Sequence, residues 1–313
     1  MSVVEINNLT KDYEVGFVRK RKVRALDGLT LSIEGGQIFG FLGANGAGKT
    51  TTLKLLMRLI FPTAGTARIL GQDIQNVSLH RRIGYLPENP YFYDYLTARE
   101  FLDYCGQLFG LDTALRRNRA TDLLARVRLD EKRWDTQLRK FSKGMLQRVG
   151  LAQSIINDPE IVFLDEPMSG LDPIGRREVR DLIASLRHEG KTVFMCSHIL
   201  SDIEVLCDRV AILRGGKLFQ QGRLEDLRQQ SSGDHQVEVV VSGVDRDSIS
   251  AQLPADGPWA VSETAGGVRI EVPDESYVDT VLAALRKSGG NLVSVQPIRQ
   301  SLEELFVGKN GAG

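Results

Sequence analysis

Three cysteines in 313 residues, Cys105, Cys196 and Cys207, are too few for a disulfide framework and show no metal-ligand spacing. They read as packed thiols in a reducing cytosol. No apolar run approaches the ~18–20 residues that a bilayer-spanning helix needs, so the chain is not expected to cross a membrane by itself. The opening Met1–Glu14 scatters Glu5, Lys11, Asp12 and Glu14 among apolar residues, which is no secretory signal. An excess of one charge is missing too. Forty Lys+Arg balance 40 Asp+Glu, which argues against a chain devoted mostly to nucleic acid. What remains is 42% hydrophobic and 26% charged, the balance of a globular protein, and the length suggests two domains.

Residues 1 to about 228 alternate short apolar runs with longer helical stretches. Val3–Ile6, Leu29–Ile33, Ile38–Leu42, Ile161–Leu164, Thr192–Cys196 and Val210–Arg214 read as strands, several of them apolar throughout, as in an α/β sheet covered on both faces. Thr50–Ile60, Ala98–Phe109, Leu115–Val127, Met145–Asn157 and Ile174–Glu189 read as helices. The polar stretch 229–233 reads as a linker, and 234–307 as a small α+β domain in β-α-β-β-α-β order, the ferredoxin-like arrangement. The tail 308–313 is expected to fray. No internal repeat is evident.

Gly43-Ala44-Asn45-Gly46-Ala47-Gly48-Lys49-Thr50 satisfies G-x-x-x-x-G-K-T, with a strand before it and a helix after it. Glycines let such a loop turn backbone N–H groups toward phosphate oxygens, and the helix N-terminus adds partial positive charge. Lys49 would reach the β- and γ-phosphates, and the Thr50 hydroxyl would ligate Mg²⁺. Ile161–Leu164 would deliver Asp165 to the metal and place Glu166 to polarise an attacking water. An acidic pair after an apolar strand is common by itself, and a lone His198 is more often structural. His198 nonetheless follows a strand at the ligand side of a parallel sheet. Between the two nucleotide motifs, Ser142, Gly144 and the helix that follows would form a second anion site.

With Phe141-Ser142-Lys143-Gly144-Met145-Leu146-Gln147-Arg148 and Ser169-Gly170-Leu171-Asp172 in their order, residues 3–225 resemble the ATP-binding subunits of ATP-binding-cassette (ABC) transporters. The resemblance implies an α/β P-loop nucleotide-binding domain with an inserted helical subdomain at about 88–158. It also implies ATP and Mg²⁺ as cofactors and two chains sandwiching two nucleotides. Tyr13 would stack on adenine, and Gly43, Ala44, Asn45, Gly46, Ala47, Gly48, Lys49, Thr50 and Thr51 would cradle the phosphates. Asp165 would hold the metal and Glu166 would be the catalytic carboxylate. His198 would contact the γ-phosphate. Ser142 and Gly144 would bind the other subunit's ATP, with Asp172 communicating across. The implied partners are a second copy and separate transmembrane permease subunits, with no nucleic acid. The implied place is cytoplasmic, peripheral on the membrane's inner face.

Two departures stand out. The usual Leu-Ser-Gly-Gly-Gln is here Phe141-Ser142-Lys143-Gly144-Met145, similar to drug and natural-product exporters of the daunorubicin type. The usual glutamine-loop position is Glu88, an added carboxylate near the metal, or else a solvated side chain. The ending Ser301–Phe306 is also similar to exporter ATPases. Importers with a regulatory C-terminal domain, or ABC ATPases acting on DNA or ribosomes, are rival readings. Lys49 to Asp165 spans only 116 residues (165 − 49), which leaves no room for the long coiled coil of the chromosome type. The basic run Arg19–Arg24 reads as a solvated hairpin tip. Tyr91, Phe92, Tyr93 and Tyr95 are too many neighbouring aromatics for one buried face and suit a partner groove.

Overall fold

The computed structural model describes residues 2–16, 20–231, 236–254, 256–264 and 266–297. The expected ending 301–306, the tail and Arg19 lie outside them. Two units emerge, Met1–Leu224 and a second from Glu225 onward.

The first unit opens with β1 (Ser2–Val15) and β2 (Arg21–Glu34), far longer than the short apolar runs suggest. Antiparallel pairing extends them: the added ends 10–15 and 21–24 bury no side chain and are held by the ladder between the two strands and by the Arg24–Asp12 ion pair. β3 (Ile38–Gly43) is buried at every position. It leads into α1 (Lys49–Leu56), which stops before the expected Ile60. Arg58 takes a left-handed φ of 53°, and the Leu59 and Ile60 N–H groups turn back to the Lys54 carbonyl. β4 (Ala64–Ile69) and β5 (Gln72–Asp73) complete an antiparallel sheet in the order β2-β1-β4-β5.

β6 (Ile83–Leu86) follows, and then α2 (Ala98–Leu108), α3 (Thr113–Arg126) and α4 (Lys143–Ser154). Each has a side-chain cap: Thr97, in a reciprocal pair with Glu100, then Asp112, then Ser142. The chain returns as β7 (Ile161–Asp165), α5 (Pro173–His188), β8 (Thr192–Ser197), α6 (Leu200–Leu206), β9 (Arg209–Arg214) and β10 (Lys217–Arg223). The second sheet runs β10-β9-β3-β8-β7-β6, parallel except for the β10/β9 edge. Its centre is Phe194, whose ring lies 5.3–5.6 Å from those of Phe39, Phe41 and Phe163. Truncating such a ring to alanine costs about 3–5 kcal/mol.

Helix α7 (Leu224–Ser231) takes up part of the polar stretch read as a linker, correcting that reading as far as Ser231. The second unit then has β11 (Val237–Ser242), α8 (Arg246–Ser250), β12 (Ala260–Thr264), β13 (Gly267–Val272), α9 (Val278–Ser288) and β14 (Asn291–Pro297). The antiparallel order β12-β13-β11-β14 is the ferredoxin-like one. Alternate residues Val237, Val239 and Val241 meet Val268, Ile270 and Val272, and Val281 and Leu285 of α9 cover that face.

Candidate active site

In a parallel sheet the strands end together, and the loops at those ends share one edge. Leu42 stands beside Ser197, and Asp165 beside Cys196. The residues that follow, Gly43, Glu166 and His198, therefore meet although up to 155 residues separate them (198 − 43). Glu166, together with residues 44–51, Ala25 and Glu88, lines a cleft of about 380 Å³.

The loop's shape depends on Gly48. It caps α1 at a φ of 108°, and a Cβ there would sit 2.7 Å from the Ala25 carbonyl oxygen. Ala25, on β2, thus forms the cleft wall, a neighbour that no motif announces. Lys49 is 6% exposed; its Nζ donates to the Gly43 carbonyl at 2.7 Å and lies 3.6 Å from Glu166 Oε1. The other carboxylate oxygen, Oε2, is 2.9 Å from His198 Nδ1. A carboxylate only accepts, so Nδ1 carries the hydrogen. Glu166 holds this place at a φ of +49°, a left-handed conformation that costs a non-glycine residue about 1–2 kcal/mol. Its N–H donates to the Cys196 carbonyl at 3.0 Å, and its own carbonyl accepts from the Ser169 N–H at 3.0 Å. Strain held in place by its surroundings is common at reactive positions.

Asp165 is fully buried, and neither carboxylate oxygen has a hydrogen-bond partner. Burial pushes its pKa up to about 6. Glu166 and Glu88 reinforce the rise; Thr50 and Lys49 oppose it, the Thr50 hydroxyl without completing a hydrogen bond to either oxygen. A buried carboxyl group with idle lone pairs, beside a hydroxyl and a second carboxylate, is a donor set suited to a hard divalent cation. Glu88 is exposed to the cleft and lines it, so its side chain faces the phosphate loop.

Four further sequence candidates do not line this cleft. Ser142 caps α4, accepting from the Met145 N–H at 3.3 Å, and is exposed; Gly144 follows in the first turn. Asp172 caps α5, with Oδ1 accepting from the Gly175 N–H at 3.0 Å. Tyr13, on β1, has Lys11 Nζ 5.2 Å from its ring centre. Nothing in the sequence singles out Gln147 within its motif. It is 3% exposed, and its Nε2 donates to the Pro167 carbonyl at 2.9 Å, tying α4 to the loop after Glu166.

A family model described as "ABC transporter" matches residues 26–169, and an uncharacterised ABC transporter ATP-binding protein of Nostoc sp. is 43% identical over 98% of this chain and 89% of its own. The chain belongs to the ABC transporter ATP-binding proteins. The bacitracin transport ATP-binding protein of Enterococcus faecalis is 37% identical over 99% of this chain and 97% of its own. A solved dimeric ATP-binding cassette in a post-hydrolysis state with ADP and phosphate superposes with a TM-score of 0.65 at 26% identity, covering 71% of this chain and 98% of that one. Residues 222–309 match a model described as "ATP-binding protein DrrA1-3-like, C-terminal domain". As an ABC transporter ATP-binding subunit, the protein is an ATPase. Among the described residues no helix is long and apolar enough to cross a membrane.

Proposed function

We propose that this ABC ATPase works as a homodimer that binds two ATP molecules with Mg²⁺ and drives export through separate membrane-spanning subunits. The observation that carries the reading is Glu166, held between Lys49 and His198 at the mouth of a cleft walled by the phosphate loop. Gly43 to Thr51 cradle the phosphates, and Lys49 leaves the Gly43 carbonyl for the β- and γ-oxygens. Thr50 and Asp165 hold the metal, with Glu88 contributing across the cleft. When bound, Mg²⁺ neutralises charge on the β- and γ-phosphate oxygens. Glu166 accepts a proton from the attacking water, and His198 orients Glu166 while reaching the γ-phosphate. Tyr13 stacks on adenine. Ser142, Gly144 and Asp172, absent from the chain's own cleft, serve the nucleotide held by the second subunit.

Export is supported by the Ser-Lys-Gly-Met signature, the DrrA-like C-terminal domain and the bacitracin transport relative. The contact to the membrane subunits lies at Tyr91, Tyr93 and Tyr95, which are 86%, 39% and 60% exposed. Tyr93 meets Tyr91 and Tyr104 edge to face at 6.2 and 5.4 Å and Tyr95 at a tilt, while Phe92 turns inward against Phe101 at 5.2 Å. Exposed adjoining tyrosines suit a short helix from a partner. A peripheral position on the cytoplasmic face of the membrane goes with this reading. The test is light scattering on the Glu166→Gln protein with ATP and Mg²⁺. A stable dimer is expected, and a protein that stays monomeric at saturating ATP overturns the reading.

A further inference from the structure

Two of the loops assigned above to the second subunit's nucleotide are N-caps of neighbouring helices: Ser142 begins α4 and Asp172 begins α5. The caps touch. A Cβ on Gly144 would lie 3.3 Å from Leu171 Cδ2, and the Lys143 side chain runs over Gly170, where a Cβ would meet its Cε at 2.7 Å. Six residues past each cap (148 − 142 and 178 − 172) the helices are joined again. Arg148 Nη2 lies 2.5 Å from Glu178 Oε2, an ion pair in which that buried oxygen accepts no hydrogen bond, and both side chains are less than one-fifth exposed.

Arg148 does more than pair. Its Nη1 donates to the carbonyls of Val127 and Arg128, each at 3.1 Å, and so closes the C-terminal end of α3. Arg128 lies 3.6 Å from Glu178 and 3.7 Å from Asp181. Arg126 donates to Ser185 Oγ at 2.8 Å and pairs with Glu189. Positions 178, 181, 185 and 189 are three or four apart, which is one stripe of α5 and its C-terminal cap. That stripe receives three arginines, all from α3 and α4 or the turn that follows α3. An exposed pair such as Arg128–Asp181 contributes little. Arg148 is the shielded member able to hold an orientation: two carbonyls fix its Nη1, and the rigid guanidinium plane then sets its Nη2 against the Glu178 carboxylate as an ion pair.

We propose that Arg148, through Glu178, is a positioning residue that locks the start of α4 to the start of α5, so that Ser142 and Asp172 meet the second subunit's nucleotide as one body. This rests on the dimer reading above. Without the pair the caps still touch through Lys143 and Leu171, and Gln147 still holds the Pro167 carbonyl. But α4 and α5 lose the charged contact one to two turns further on that sets their angle, and the composite site forms only in part of the population.

The experiment measures ATP-induced dimerisation by sedimentation, with ATP and Mg²⁺, for Glu166→Gln alone and with Glu178→Gln or Arg148→Lys added. The dimer dissociation constant is expected to rise roughly tenfold, with the monomer's affinity for a fluorescent ATP analogue unchanged within about twofold. In the single variants Glu178→Gln and Arg148→Lys, turnover per chain should recover as protein concentration rises. Mass action gives that rescue, whereas a loss of folded protein does not. Equal dimerisation with and without Glu178→Gln overturns the inference, as does a parallel loss of monomer affinity. If Glu166→Gln alone remains monomeric, the dimer reading has failed instead, and the two failures are told apart. Should Glu178→Gln fold poorly, Arg148→Lys keeps the charge, loses the fork and carries the same test.

Discussion

Glu166 Oε2 lies 2.9 Å from His198 Nδ1, and the same carboxylate reaches toward Lys49 with its other oxygen, 3.6 Å away. One side chain thus joins the loops that follow three different strands. Its left-handed backbone aims it there, and two backbone hydrogen bonds keep it aimed. A carboxylate shared between an ammonium and an imidazole can accept a proton from water without losing its orientation.

Glu166→Gln keeps the size and both neighbours but removes the base. Phosphate release is expected to fall by about 10²–10⁴-fold while ATP affinity holds. Turnover within a few-fold of wild type would remove Glu166 from the role proposed for it.

Lys49→Ala should act on binding. The ammonium is the one buried cation beside the phosphate loop among the described residues, so its loss should weaken ATP binding by tenfold or more. Equilibrium titration with a fluorescent nucleotide measures this, and an unchanged affinity would contradict the phosphate role.

Glu88→Gln probes the cation. Glu88 lines the cleft and raises the pKa of Asp165, so its charge is felt at that carboxyl group. The Mg²⁺ concentration giving half-maximal activity should rise, with melting in the absence of ATP unchanged. An identical magnesium titration returns Glu88 to a solvated side chain.

Tyr91→Ser with Tyr95→Ser should leave the melting temperature within about 2 °C of wild type, because both rings are exposed. Co-purification with the membrane subunits should be lost while ATPase activity of the isolated protein persists. Phe92→Ala is the internal contrast. Its ring packs on Phe101, and its removal should destabilise by about 3 kcal/mol in chemical denaturation. A large melt shift in the tyrosine pair would make that cluster core.

Asp202 offers a pH test away from the cleft. It is 2% exposed in the first turn of α6, and burial raises its pKa against the pull of Arg176, Arg180 and His198. A raised folded-state pKa means that stability present below the ordinary carboxylate range is lost as pH climbs through the folded value. Asp202→Asn should therefore raise the melting temperature by about 2–4 °C at pH 8 and shift it little near pH 4. The opposite pH trend would show that the arginines outweigh burial.

Much of this was legible in the sequence because it is short-range chemistry. Gly43 to Thr50 announces a phosphate loop, since only glycines allow such turns and only a lysine at that place meets the phosphates. The caps Asp112, Ser142 and Asp172 mark helix starts by their own side-chain chemistry. In the C-terminal unit, the alternation at Val237, Val239 and Val241 determines which face is buried.

Tertiary structure decided the rest. β6 is only four residues long and contains a glycine, and it becomes a strand because β7 pairs with it. β1 and β2 run far past their apolar cores because each serves as the other's partner. Nothing local to Glu166 says that His198, 32 residues on (198 − 166), will stand 2.9 Å away; the parallel registry of β7 with β8 does. The same holds for Ala25 against Gly48 and for Arg148 against Glu178, which are joined only once α3, α4 and α5 have packed. Local rules fix which residues can do chemistry, because rotamers, caps and turns depend on near neighbours. Pairing between strands and helices distant in the chain fixes which of them meet, because that energy exists only when the whole sheet is closed.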